Sequence, residues 1–260
     1  MARVIAVANL KGGTGKSTTV ANLAAAWGAG SPPYRVLVID LDPQGDLTAM
    51  FGRYPEDCPG TVDDLFVDAD RELASVIETN VADGVDLMAA APRLANVELT
   101  LAGQMGAEFF LKDALEGQVD TYDVVVIDCP PQLGKLTPNA LFAASEVVIP
   151  VSMTDRGAYN GAAELLSKVD QVNKRQRLRV AAIVRTLTDP KRRAYRALDA
   201  ELAQLGVPIA RAAIPLRAAF HDAGVVGSPV VVSGRWTVGG VAYVQLAEEL
   251  AEAAPQRSAA

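Results

Sequence analysis

"VIAVANLKGGTGKSTT", residues 4–19, decides how this chain is read. Its first five residues are continuously apolar, three of them β-branched, as in a strand covered on both faces. A glycine-rich turn follows. Beyond it, Val20, Leu23, Ala24 and Trp27 recur at i, i+3, i+4 and i+7, the spacing of one helix face. Strand, glycine loop and helix in that order form the context a phosphate loop requires. Glycine admits backbone angles that side chains forbid. The loop amides can therefore turn inward, and the helix N-terminus adds partial positive charge. Gly12, Gly13, Thr14, Gly15, Lys16, Ser17 and Thr18 are the candidate nucleotide contacts. Lys16 is placed to reach the β- and γ-phosphates, and the Ser17 hydroxyl to ligate Mg²⁺.

Outward from the loop, the same alternation repeats. Runs at 35–40, 85–90, 122–128, 146–151, 179–184 and 208–214 read as strands, and helical patterns separate them. The expectation is an α/β fold: a mostly parallel twisted sheet flanked by helices on both faces. Nothing resembles an interdomain linker, so one domain over 1–260 is expected, with a frayed tail from about 254. "RVLVIDLDPQGDLT" sets Asp40 and Asp42 at the carboxyl end of a strand, and "YDVVVIDCPP" does the same for Asp128. Open parallel sheets bind ligands at that end. One division of labour puts Asp40 near the Mg²⁺ shell and leaves Asp42 to position water. Ser17, Asp40 and Asp128 are the candidate metal ligands.

Composition bounds the alternatives. Half of the 260 residues are apolar, enough for a sizeable core. No leader pattern and no apolar run of membrane-spanning length is visible, which points to the cytoplasm. Two cysteines, Cys58 and Cys129, make neither a disulfide framework nor a CxxC metal site. The net charge of −7 argues against a general nucleic-acid binder, but its distribution is uneven. Lys168 to Arg196 holds ten basic residues and two acidic ones, a net of +8, so the remainder carries −15. Such asymmetry points to an anionic partner.

The loop departs from the general pattern, having Leu10 where a first glycine is usual and a second lysine, Lys11, before the glycine pair. "KGGTGKST" is the deviant Walker A motif, and here the chain resembles the ParA/MinD family of P-loop ATPases. "DLDPQGDLT", "YDVVVIDCPPQLGKLTPNAL" and "ASEVVIPV" look like the Soj/ParA partition branch. The resemblance covers nearly the whole chain. It implies a Mg²⁺-dependent ATPase that forms an ATP-sandwich homodimer, with Lys11 reaching nucleotide phosphate across the dimer. It also implies that Asp42 is the switch residue needed for hydrolysis and that Asp128 is the Walker B carboxylate. Arg185, Thr186, Pro215 and Leu216 become candidates for the adenine pocket. By the same resemblance the dimer binds DNA non-specifically, associates with the nucleoid and is stimulated by a ParB-like centromere-binding partner. Lys191, Arg192, Arg193 and Arg196, extended by Arg211 and Arg217, are the candidate DNA contacts.

Three alternatives stay open. A MinD-like division-site regulator ends in an amphipathic membrane helix, whereas this chain ends "VQLAEELAEAAPQRSAA", acidic and small. An iron–sulfur electron carrier needs suitably placed cysteines that this sequence lacks. A positioner of non-DNA cargo would use the same chemistry.

Overall fold

β1 (Arg3–Val7), the first strand, lies inside an eight-stranded sheet rather than at its edge. The computed structural model describes residues 2–254 except 69, 70 and 102. Most of the expected frayed tail lies outside the described residues. After β1 come α1 (Lys16–Gly28), β2 (Val36–Asp40), α2 (Asp46–Met50), α3 (Val62–Val67), β3 (Ile77–Ala82) and β4 (Val85–Met88). The middle of the chain gives α4 (Leu94–Leu101), α5 (Phe110–Leu115), β5 (Val124–Asp128), α6 (Leu136–Ala143), β6 (Glu146–Ser152) and α7 (Arg156–Val172). The last part gives β7 (Arg179–Thr188), α8 (Arg193–Leu202), β8 (Ile209–Pro215), α9 (Ala218–Val226), α10 (Val230–Ser233) and α11 (Val238–Glu252).

The sheet order is β3-β4-β2-β5-β1-β6-β7-β8, and every neighbouring pair is parallel except β3 with β4. The expected α/β architecture is therefore present. Alternate residues of each strand feed two cores. Ile5, Val7, Val36, Val38, Val124 and Val126 pack under α1, α10 and α11. Ala6, Leu37, Ile39, Val125, Ile127 and Ile149 pack under α4 to α8. Burial on both faces explains why these strands read as unbroken apolar runs.

One strand was not expected. β3 is antiparallel to β4 and half-exposed, and the Asp83-Gly84 pair turns the chain between them. Its polar "ETN" hides it from an apolar-run search, while Asp-Gly is a recognisable hairpin signal. Elsewhere the boundaries move by a few residues, the largest shift being β7, which runs on to Thr188.

Parallel strands bring their carboxyl ends to one edge of the sheet. β1 runs between β5 and β6 there, so the loop after it opens between two strands that lead away to opposite sides. Such a crevice is where open α/β sheets hold ligands.

Candidate nucleotide-binding site

The loop from Asn9 to Gly15 joins β1 to α1. Gly15 caps α1 with φ +84°, a left-handed conformation disfavoured for residues with a Cβ. No side chain caps this helix, so its first-turn amides face the loop. A Cβ built on Gly12 or Gly13 would meet no atom within 4 Å, so the rim of the loop opens outward. Lys16 is 7% exposed and folds back over the loop, its Nζ 3.5 Å from the Lys11 carbonyl oxygen. Asn9 anchors the strand end: its Nδ2 donates to Pro150 O and Ala158 O, and its Oδ1 accepts from Lys11 N. On the far side, Thr186 Oγ1 donates to Thr14 O at 2.7 Å. The loop is thus held from β6, α7 and β7.

The three aspartates meet at the β2 and β5 ends, where Asp40 and Asp128 are register partners. Both are fully buried, but their surroundings differ. Asp40 Oδ1 accepts from Asp42 N, and Oδ2 accepts from Thr48 N and Thr48 Oγ1. It therefore holds the 42–48 turn. Burial pushes its pKa up to about 7 against the pull of those hydrogen bonds. Neither carboxylate oxygen of Asp128 has a hydrogen-bond partner of good geometry among the described residues. Burial, and then the charge of Asp40, push the Asp128 carboxyl well above the usual range; Ser17 and Lys16 pull it down. Asp42 is 9% exposed, accepts from Gln44 N, and is raised by burial while Lys16 opposes the shift.

This arrangement fits a magnesium nucleotide. An orphaned, buried carboxylate beside a lysine and a serine hydroxyl is an unbalanced site without a cation. Among the described residues no three His, Cys, Asp or Glu side chains converge into a protein-only metal cage. Mg²⁺ keeps waters and phosphate oxygens and takes few protein ligands. Ser17 and Asp128 are the residues that would hold it. Asp40, expected as a third ligand, has both oxygens engaged by the turn it supports.

Lys11 lies outside the cradle. Its side chain is 47% exposed and its Nζ is 3.5 Å from Asp155 Oδ2. Asp155 caps α7, its Oδ1 accepting from Gly157 N at 2.7 Å. One turn on, a Cβ on Gly161 would collide with Asn9 Oδ1 and press within 3.1 Å of Lys11 N. The first turns of α7 therefore seat the Lys11 backbone.

The remaining candidates divide. Thr186 lies against the loop, and Thr188 O accepts from Leu216 N, which brings Pro215 and Leu216 to the same edge. Arg185, one residue earlier, faces the opposite side of the sheet. It pairs with Asp199 of α8 and donates to Ala210 O, so its guanidinium is turned from the loop. Lys191, Arg192, Arg193 and Arg196 are exposed where α8 begins, just past the β7 end; Arg192 pairs with Asp189. Arg217 is exposed at the end of neighbouring β8 and joins them. Arg211 does not: it pairs with Glu249 and Glu252 on α11, an acidic surrounding away from the other arginines. Asn9, Thr48, Asp155 and Gly161 were not anticipated. The visible signals were a lone polar residue closing an apolar strand and an Asp ahead of a helix.

A glycine loop closing a helix N-terminus, with a buried strand-end carboxylate beside it, defines a P-loop nucleotide-binding protein. A family profile described as an AAA domain matches residues 2–182. The chain is 33% identical over 254 residues to the sporulation initiation inhibitor protein Soj of Bacillus subtilis, covering 96% of this chain and 99% of that one. It is 30% identical over 251 residues to the chromosome partitioning protein ParA of Myxococcus xanthus, covering 95% and 87%. The chain belongs to the ParA/Soj family of partition ATPases. Among solved structures, a Mycobacterium smegmatis chain named cobyrinic acid a,c-diamide synthase, with bound ADP and magnesium, matches with TM-score 0.80 and 33% identity over 95% of this chain and 93% of that one. A Cyanothece McdA variant in its ATP complex shares the fold, with TM-score 0.84 at 21% identity over 97% and 96% of the two chains. No helix among the described residues is long and apolar enough to cross a membrane.

Proposed function

We propose that this chain hydrolyses ATP with Mg²⁺ and uses the ATP-bound state to pair two copies, which bind DNA without sequence preference and position a cargo. The observation that carries the reading is the unpartnered Asp128 carboxylate next to Lys16 and the open loop. The loop amides and Lys16 would take the phosphates, and Ser17 and Asp128 the metal. The bound metal would neutralise charge developing on the phosphates. Asp42 would orient the attacking water: it is buried, lies within the influence of Lys16, and has its pKa raised towards that of a useful base. Lys11 would serve the second copy, since it points away from its own cradle and is held only by an exposed pair. A cation completed on assembly can add ~10³–10⁵ in rate. Basal turnover should then be slow, and a ParB-like centromere-binding protein is the expected activator. Lys191, Arg193, Arg196 and Arg217 support the DNA reading, because they are exposed along one edge.

The test is gel filtration and DNA co-sedimentation of the full chain without nucleotide, with ADP and with ATP. Dimer and DNA binding only with ATP is the expected result. A monomer that ignores DNA under all three conditions would overturn the reading.

A further inference from the structure

The +8 segment of the sequence is two surfaces in space. Its later half, Lys191 to Arg196, lies past the carboxyl end of β7. Its earlier half, Lys168, Lys174, Arg175 and Arg177, lies at the end of α7 and before the start of β7. The ten residues of β7 separate them by roughly 30 Å at about 3.3 Å per residue. The earlier cluster lies at the opposite strand ends from the phosphate loop.

It borders a groove of 850 Å³ that runs along α6 between α4 and α7. Leu99, Leu133, Pro138, Leu141, Phe142 and Val172 give the groove an apolar lining. Leu99 is 76% exposed and Leu133 37%, side by side in this lining rather than scattered singly. Lys135, Lys168, Lys174 and Arg175 stand around it. The two carboxylates that also line it are already engaged: Glu98 Oε1 accepts from Lys135 N, and Glu108 pairs with Arg175. Among the described residues Lys135, Lys168 and Lys174 form no ion pair.

We infer that this groove docks an acidic amphipathic helix from a partner protein. An apolar trench takes side chains spaced i, i+3/i+4, i+7 from one helix face. Lysines at the start of α6 and along the end of α7 select carboxylates on the flank of that helix. The one aromatic ring in the lining, Phe142, is 8% exposed and packs on Phe109, and Arg175 is paired with Glu108, so the groove offers no free plane for a nucleic-acid base to stack on. A second copy of this chain is a poor occupant, because its acidic helix α11 already buries Leu246 and Leu250 in its own core.

The inference does not depend on the ATPase reading, and the peptide titration at its centre needs no nucleotide. The probe is a fluorescent 14-residue peptide with leucines at helical spacing and glutamates between, alongside the same peptide with lysine for every glutamate. Anisotropy titration against the full chain should show micromolar binding of the acidic peptide and at least about tenfold weaker binding of the basic one. Lys168→Glu with Lys174→Glu, and separately Leu99→Ser, should each weaken the acidic peptide by about tenfold while ATP turnover and duplex binding hold. Equal affinity for both peptides, no binding of the acidic one, or indifference to the variants would overturn the inference. So would loss of duplex affinity in the Lys168/Lys174 variant, or a self-association of the wild type that this variant abolishes, since the groove would then serve DNA or a second copy.

Discussion

Lys16 is 7% exposed, whereas the Lys11 side chain is 47% exposed and meets only a half-exposed aspartate. Burial commits the first to its own loop; exposure leaves the second available elsewhere. Lys16→Ala should abolish measurable ATP binding by calorimetry. Lys11→Ala should leave ATP binding by the monomer intact and its folding stability within ~1 kcal/mol, since exposed pairs contribute little. Analytical ultracentrifugation should then show that ATP no longer drives pairing. Asp42→Ala should bind ATP normally, slow hydrolysis at least about 100-fold, and accumulate as an ATP-bound dimer. Normal turnover in a phosphate-release assay would remove Asp42 from the chemistry. The motif from Gly12 to Ser17 was legible because a left-handed Gly15 ahead of a helix demands glycine at a fixed place between strand and helix. The hold of Asp40 on the 42–48 turn was not legible, because its three hydrogen-bond donors, from Asp42 and Thr48, are set by how a turn folds.

At the scale of elements, α7 and the glycine loop behave as one part. Asn9 ties the loop to the Ala158 carbonyl, and Gly161 allows a close approach that any larger residue would block. Gly161→Ala should lower stability by ~1–3 kcal/mol in thermal melts and weaken ATP binding together, because the displaced atoms belong to the loop. Gly103→Ala, where a Cβ meets nothing within 4 Å, is the control and should change neither. The sequence showed α1 and most strands through apolar periodicity, which burial on two faces imposes. It concealed β3, half-exposed and polar, and it concealed the seat under Lys11, which is made where segments about 150 residues apart meet.

Across the whole molecule, charge is sorted by sheet edge. The carboxyl edge carries the loop, the aspartates and the α8 arginines; the other carries the end of α7. A run of basic residues in the sequence looked like one patch and is two, because a strand passes through the middle of it. Arg185 and Arg179, both inside that run, are spent on Asp199 and Glu146. Arg192→Glu with Arg193→Glu should therefore weaken binding to two unrelated duplexes equally in a salt titration. The slope of log K against log salt should become shallower by roughly 0.9 for each phosphate no longer neutralised. A weakening confined to one duplex would mean base reading, which an edge of flexible arginines does not supply.

The two tryptophans occupy opposite environments. Trp27, on the helix that starts at the phosphate loop, is 3% exposed and donates its indole N–H to Ala247 O of α11, whereas Trp236 is 88% exposed. Iodide should quench the red-edge emission of the second and spare the blue-edge emission of the first. Light from the shielded indole can then follow any movement of the first helix when nucleotide binds, with no dye attached.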